Sequence, residues 1–540
     1  MTDEISEHVA QIGGGDLPAG RFRAAALDPA SLLTGIGNLP ADRGRHIVHG
    51  IKLLTVQNGV NSVLGSVFLS LLLRILSPSD YGLYSAALLV TGIGSSIAFF
   101  GLQSAATRFV AYSSHDSRDL GTAARSIVIL SLIFTSAATV IFVMLSSRVS
   151  LYFTGSTGSA WVFAASGAWL FSSTISGIFQ GLVQGMKKYE TLAKILMTSN
   201  LAMVCFTALG LVEFHSILVP ILAWVMYGSL ISAWSLLITR KNHLLVDAPE
   251  KRGETVNRVL RYSLPLGIAG VFTVATGAGD PLVVGKFLSS AQMGEYFAAI
   301  AISGGLGVIL FTPLNTAFFP ETSSNANDRK GLSNGLKLAI RYTALAMLPV
   351  SFSLAGLSRQ MIGLFSGGPS TYLAANFSLQ LMSVFFLFVA MQGILTTLLL
   401  STGKTVGVMM IGVVTVVLDL VLSLWLVPSF GILGATASRI LVDIAGFLVA
   451  LYLARDYLRG VVDVVFQAKV LFASLTMLVV LSGLSTYMSA RTITLIPYSI
   501  IGGAVLLACA RGMHLLSKED KRYLESIFPP SIGKVVRAIL

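Results

Sequence analysis

The chain has 540 residues, 54% of them hydrophobic and only 11% charged, with a net charge of +12. A soluble globule carries about 25% charged residues, so this composition excludes a soluble enzyme or nucleic-acid-binding module and describes a polytopic membrane protein. The positive excess has to be explained by topology.

Residues 1–50 lack an apolar core of signal-peptide length and read as a disordered cytoplasmic tail rich in Gly, Pro and Ala. Apolar runs of about 20 residues, enough to cross about 30 Å of hydrocarbon as a helix, then recur about fourteen times, which makes the fold all-α. The first six are Leu53 to Leu76, Leu83 to Ala106, Ser126 to Leu145, Ala160 to Leu182, Leu192 to Leu211 and Ile217 to Ile238, and together they form a first half over 51–238. A basic cytoplasmic linker covers 239–261. The second half, 262–453, holds Ser263 to Gly285, Tyr296 to Phe318, Ala339 to Leu357, Phe377 to Leu398, Val406 to Leu426 and Ile432 to Leu453. Residues 454–511 supply a second linker and a closing hairpin, Val470 to Met488 and Ile493 to Ala510. In the cytoplasmic tail 512–540, Ser517 to Asp520 reads as a helix start. Leu516, Tyr523, Leu524, Ile527 and Phe528 then share an apolar face suited to the lipid surface.

Basic residues test this order, because positive charge stays on the cytoplasmic side of short loops. With the amino terminus inside, 31 of the 37 Lys and Arg fall on the inner side and Arg439 falls within a span. The other five, Arg74, Arg148, Lys286, Arg359 and Arg491, fall at outer ends. Both termini are therefore expected in the cytoplasm of an inner or plasma membrane protein, and nucleic acid is not an expected partner.

RILSPSDYGLYSAA (Arg74 to Ala87) matches KFLSSAQMGEYFAA (Lys286 to Ala299) at a constant offset of 212 (74 to 286, 82 to 294). The chain is thus a duplicated bundle. Because each repeat has an even number of spans, the two must be parallel copies about an axis along the membrane normal, an arrangement typical of transporters.

Charges near the bilayer centre cost about 2.5–3.5 kcal/mol on insertion scales and are functional candidates by default. Asp419 and Arg439 flank the short turn Pro428 to Gly431 at similar expected depth, so an ion pair between them is expected. Asp443, one turn beyond Arg439, makes it a three-member cluster. The cluster reads as a lock on this hairpin, as a switch coupled to a proton or sodium gradient, or as a polar lining for a sugar head group. Asp280 lies in TGAGDPLVVGK, where Pro265, Gly277 and Pro281 can interrupt the seventh span; Gly65 stands at the position equivalent to Gly277, within a polar stretch that includes Asn58 and Asn61. Interrupted helices at matching positions are the best sequence pointer to a transport site. Arg74, Arg108 and Lys286 are candidates for contacting an anionic diphosphate, although snorkelling to head groups is the commoner use of such residues. Gly177, Gly181 and Gly185 read as a close-packing stripe.

Other signals fail. Thr402-Gly403-Lys404-Thr405 lacks the first glycine of a phosphate-binding loop, so no ATPase motif is read. The seven His never adopt a ligand spacing, no catalytic, cofactor or metal site is expected, and Cys205 and Cys509 lie in distant spans.

The hairpin RILSPSDYGLYSAALLVTGIG followed by GLQSAATRFVAYSS (Arg74 to Ser114), with its counterpart YSLPLGIAGVFTVATGAGDPLVVGKFLSSAQMGEYFAA (Tyr262 to Ala299), resembles the polysaccharide biosynthesis flippases of the multidrug/oligosaccharidyl-lipid/polysaccharide export superfamily. The resemblance covers roughly residues 50–455. It implies a flippase that moves polyprenyl-diphosphate sugars from the inner to the outer leaflet by alternating access of two halves. Lipid-linked oligosaccharide, membrane lipid and glycan-assembly enzymes would be its partners. A drug or cation antiporter of the same superfamily is the second reading. A membrane glycan polymerase or ligase is a third, weakened because the longest outer loops, Ser146 to Ser159 and Ser358 to Asn376, contain no carboxylate.

Overall fold

A computed structural model describes residues 41–112, 117–242, 252–324, 329–368, 371–458, 460–487 and 494–515. The expected tail helix after Leu516 and the tail 1–40 lie outside them. The described residues build sixteen helices: α1 Ala41–Ile75, α2 Pro78–Phe99, α3 Leu102–Tyr112, α4 Ser117–Thr154, α5 Ala160–Gly185, α6 Tyr189–Phe214, α7 Leu218–Lys241 and α8 Arg252–Ala275. The chain goes on with α9 Gly279–Phe287, α10 Ser290–Ser324, α11 Arg329–Gly356, α12 Ser358–Ser366, α13 Ala375–Ser401, α14 Thr405–Leu458, α15 Val464–Tyr487 and α16 Leu495–Gly512.

Eleven described helices are long and apolar enough to cross a membrane, or twelve when the bent pair Val256–Ala275 and Gly279–Phe287 counts as one span. α14, at 54 residues, would be about 80 Å long if straight, far more than a bilayer core. It is two spans joined at Gly431, whose φ of 61° and ψ of −135° lie outside the helical region. With α14 divided and the 35-residue α10 added, a helix stands at each of the fourteen expected spans. Lipid would cover side chains such as Met144, Leu209 and Trp425, which are 70–76% exposed. Many buried Ser and Thr are accommodated because their hydroxyls donate to carbonyls one turn back, as Ser85 does to Tyr81 (2.7 Å) and Ser166 to Val162 (2.8 Å).

The duplicated segment acquires a structural meaning at its Ser and Gly identities. Ser77 caps α2 by accepting the Asp80 N–H at 3.1 Å, with Pro78 in the first turn. Its counterpart Ser289 starts α10 with a capping box: its Oγ accepts the Gln292 N–H at 3.3 Å while Gln292 Oε1 accepts the Ser289 N–H at 3.1 Å. One turn further on, α2 and α10 cross at Gly82 and Gly294. A methyl group on Gly82 would overlap the Ser290 carbonyl, and one on Gly294 would overlap the Pro78 carbonyl. Residues 78 and 290 are themselves one offset apart, so the contact is reciprocal, as expected where a two-fold pseudo-axis passes between parallel copies.

Two expected spans are corrected. The second does not run to Ala106: α2 stops at Phe99, because Phe100 (φ 45°) and Gly101 (φ 70°) turn the backbone left-handed before α3 begins. The seventh is not one rod but α8 and α9, bent by 52°. Gly177 faces the end of α2 and Gly181 and Gly185 face α3: a Cβ would meet the Phe99 ring, the Gln103 carbonyl (2.6 Å) and Val110 (2.7 Å) in turn.

Candidate functional site

The bend between α8 and α9 follows from local chemistry. Pro281 has no N–H to offer the Gly277 carbonyl, and the chain tightens into three-residue turns, Gly277 N–H to the Val274 carbonyl and Ala278 N–H to the Ala275 carbonyl, both at 3.2 Å. In a continuous helix the Asp280 N–H would reach the Thr276 carbonyl. Here Asp419 Oδ2 accepts it at 3.0 Å, so a side chain from α14 replaces the lost helix bond. Gly279 permits this, since a Cβ there would overlap the Asp419 carboxylate. The other two interruption candidates differ from expectation. α1 runs unbroken through Gly65 and α8 through Pro265. Gly65 has no following proline to remove a backbone donor, so the break belongs to the second repeat alone.

The charged residues gather immediately beyond the bend. Arg439 Nη1 donates to both Asp280 oxygens, at 2.9 and 3.1 Å, and Tyr296 donates to Asp280 Oδ2. Asp280 is 1% exposed and the Arg439 side chain 30%. Ser423 donates to Asp419 Oδ1 at 3.3 Å and shares a 2.9 Å hydroxyl contact with Ser438. The expected Asp419–Arg439 pair is therefore replaced by Asp280–Arg439, with Asp419 joined through the Asp280 backbone. Both sides of the turn do lie at one depth, but the guanidinium points toward α9. Asp443, half-buried, stands one turn beyond Arg439. Three carboxylates thus share the cluster with one guanidinium, and Asp280 is the one that Arg439 pairs with. Among the described residues no group of His, Cys, Asp and Glu could hold a metal ion.

On the other side of the bend α8 leaves its own repeat and leans on the first. It is held by a one-turn stripe, Val259, Ser263 and Gly267, all buried, while Leu264, Leu266, Ile268 and Phe272 are exposed. Gly267 lies on the Phe100 backbone and the Ser263 carbonyl on Gly101. Arg108 stacks over the Tyr262 ring at 4.3 Å.

Between the first repeat and α8 lies a cavity of about 550 Å³. Its lining runs along α2 from Leu88 to Phe99, that is from about 15 Å below Pro78, and continues on α3, α5, α7 and α8. Trp169 and Trp224 form its floor, stacked at 5.4 Å, with Tyr84 stacked on Trp169 at 6.0 Å and accepting the Trp224 N–H at 2.9 Å. Tyr84 and Tyr296 are repeat equivalents, so one tyrosine supports the cavity floor and the other the charge cluster.

Beyond that floor, toward Arg74, the Gly82–Gly294 crossing closes the structure. The closure continues sideways: Arg74 Nη2 donates to the Leu364 carbonyl (2.7 Å), Ser70 to the Phe365 carbonyl (3.2 Å) and Tyr372 to the Leu76 carbonyl (3.2 Å). Arg74 thus fastens α1 to α12. Lys286 lies over the Tyr152 and Phe287 rings at this same end. Of the three diphosphate candidates, Arg108 alone is near the cavity, one turn from the lining residue Ser104. Asn58 is exposed; Asn61 accepts a 3.0 Å bond from Asn200. Neither reaches the charge cluster. Sequence reasoning passed over Trp169, Trp224 and Thr91, whose apolar setting carries no signal, and Tyr296, which the repeat did mark.

Residues 71–369, more than half of the chain, match the family described as polysaccharide biosynthesis protein. The chain belongs to that family. It is also similar to the "Probable low-salt glycan biosynthesis flippase Agl15" of Haloferax volcanii, 24% identical over 249 residues, 45% of this chain and 51% of the relative. The chain thus spans about half the length of the curated relative it matches. Its fold is that of the lipid II flippase MurJ in an inward closed conformation (TM-score 0.68, 16% identity, covering 85% of this chain and 98% of that one). An inward-facing multidrug resistance MATE transporter of the MOP superfamily shares it too (TM-score 0.63, 14% identity, 76% and 98% covered).

Proposed function

We propose that this chain moves a lipid-linked glycan between membrane leaflets by alternating access, the activity named for its flippase relatives. One observation carries the reading. A cavity lined by hydroxyls and aromatic rings is sealed at one end by a reciprocal glycine crossing and bounded toward the other by a lightly packed, bent helix. With the Arg74 end outside, as the basic residues predict, both termini are cytoplasmic and the closure is at the outer face of the cell membrane. The sugars enter the cavity, the polyprenyl chain stays in lipid, and Arg108 at the mouth meets the diphosphate. Glycan-assembly enzymes would supply and consume the cargo. An organic-cation antiporter would want a carboxylate in the cavity, and no described lining residue supplies one.

The test uses sealed vesicles with a lipid-linked oligosaccharide placed in one leaflet. Protein-containing vesicles should transfer it to the other leaflet, as read by accessibility to an added lectin. Accessibility equal to that of empty vesicles would reject transport of this cargo.

Coupling resides in the cluster. If helix α8–α9 straightened, the Asp280 N–H would return to the Thr276 carbonyl and Asp419 would lose that bond on Oδ2, keeping only Ser423 on Oδ1. A proton or monovalent cation that neutralises Asp419 favours that change, in the field of Asp280, Tyr296, Arg439 and Asp443. Asp419→Asn should therefore keep its fold, because the amide oxygen still accepts the N–H, yet lose the dependence of transport on pH or sodium. An unchanged dependence with lowered thermal stability would assign Asp419 to structure alone.

A further inference from the structure

We propose that the cavity is a subsite for electrically neutral sugar residues, with Thr91 and Gln103 as its specificity-determining residues; this deepens, and rests on, the lipid-linked glycan reading. The first observation is the lining itself. Thr91, Ser95, Ser96, Gln103, Ser104, Ser173 and Thr273 supply hydroxyl and amide groups, Trp169 and Trp224 supply aromatic surface, and no described lining residue is charged.

The second observation points to a ligand. Most lining hydroxyls are already committed: Ser96 donates to the Ile93 carbonyl (2.8 Å), Ser173 to the Leu170 carbonyl (3.1 Å), Thr273 to the Ala269 carbonyl (3.0 Å), and Ser95 shares a 3.3 Å contact with Ser173. Ser104 is exposed, and Thr91 is the buried exception. It is 2% exposed and its Oγ1 has no hydrogen-bond partner. A threonine in a helix usually returns its hydroxyl to its own backbone, and a buried hydroxyl without a partner is costly. Thr91 lines the cavity but its Oγ1 has no surface open to it, so a turn about χ1 is what brings this hydroxyl to a bound polyol. Gln103, half-buried on α3, brings an amide that both donates and accepts.

The third observation is separation. Arg108 lies beyond the lining, one turn past Ser104, and its guanidinium is spread over Tyr262. Charged and uncharged parts of one substrate are thereby sorted, diphosphate to the mouth and sugars to the interior. An acidic sugar driven into the interior would bury a carboxylate among hydroxyls and rings with no cation to pair it, which is unfavourable. The subsite thus selects neutral hexose or N-acetylhexosamine units over uronic or phosphorylated ones.

The experiment measures binding of water-soluble short-prenyl diphosphates to the purified full chain, by calorimetry. Three probes are used: one bearing a neutral disaccharide, one bearing a hexuronic acid-containing disaccharide, and one with no sugar. The neutral probe should bind at least about 10-fold tighter than the acidic one. Thr91→Val and Gln103→Leu should each weaken the neutral probe about 5- to 10-fold, one hydrogen bond's worth, and leave the sugar-free probe unchanged. Equal binding of neutral and acidic probes, or loss that is the same with and without sugar, would overturn the subsite. Selective binding together with no transfer in the vesicle assay would reject the flippase reading and leave the subsite standing; transfer of acidic glycans as fast as neutral ones would do the reverse. Thr91→Ser, which restores the hydroxyl, should recover the neutral probe's affinity and so exclude misfolding as the cause.

Discussion

Replacing Arg439 with glutamine should cost more folded protein than any other single change in the membrane interior. Asp280 is 1% exposed and receives two of its three side-chain hydrogen bonds from Arg439. Removing one partner of a buried pair strands the other charge, at about 3–5 kcal/mol, whereas removing both costs much less. Arg439→Gln should therefore lower the thermal unfolding midpoint in detergent sharply, and Asp280→Asn combined with Arg439→Gln should recover most of the loss. The same pair of variants distinguishes the expected from the observed partner. If Asp419→Asn rescued Arg439→Gln better than Asp280→Asn does, the pairing described above would be wrong.

The second large effect is expected at the glycine crossing, and on function more than on stability. Gly82→Leu and Gly294→Leu each place atoms where the other helix has backbone carbonyls, and backbone cannot move aside as a side-chain tip can. Overpacking costs about 1–3 kcal/mol, and here it falls on the closed state alone, because separated helices have room. A bias of about 2 kcal/mol against closure shifts the equilibrium about 30-fold. Glycan transfer should drop about 10-fold or more, and a cysteine placed at Ser85, now 1% exposed, should react faster with an impermeant maleimide. The reciprocal geometry adds a condition: the two substitutions should act alike. A strong effect at one glycine and none at the other would contradict a pseudo-symmetric gate.

Why these features were readable to different degrees follows from the physics of each. Ser77 and Ser289, and Gly82 and Gly294, stand out as identities because capping and close crossing each demand one residue type, wherever the repeat occurs. The bend was legible at Gly277 because Pro281 takes away a backbone donor four residues on, and illegible as absent at Gly65, where the same polar, glycine-containing stretch has no proline and stays helical. The charge cluster was half legible. Spacing along two arms of a hairpin sets depth, so Asp419 and Arg439 could be matched for height. It does not set the direction each side chain takes around its helix, and Arg439 turns toward Asp280 instead. The cavity was least visible: tryptophan in an apolar span carries the same pattern whether it faces lipid, core or an open space, and only packing tells which.

The most direct measurement of the central claim is reversible locking of the Arg74 end. In a Cys205→Ser/Cys509→Ser background, with cysteines introduced by Ser79→Cys and Ala291→Cys, both exposed beside the crossing, a short bis-methanethiosulfonate should bridge α2 and α10. Vesicle transfer of the lipid-linked glycan is then followed before bridging, after it, and after reduction. Alternating access through this gate predicts that transfer stops on bridging and returns with reductant. Transfer that continues at its full rate with the two helices bridged would contradict it.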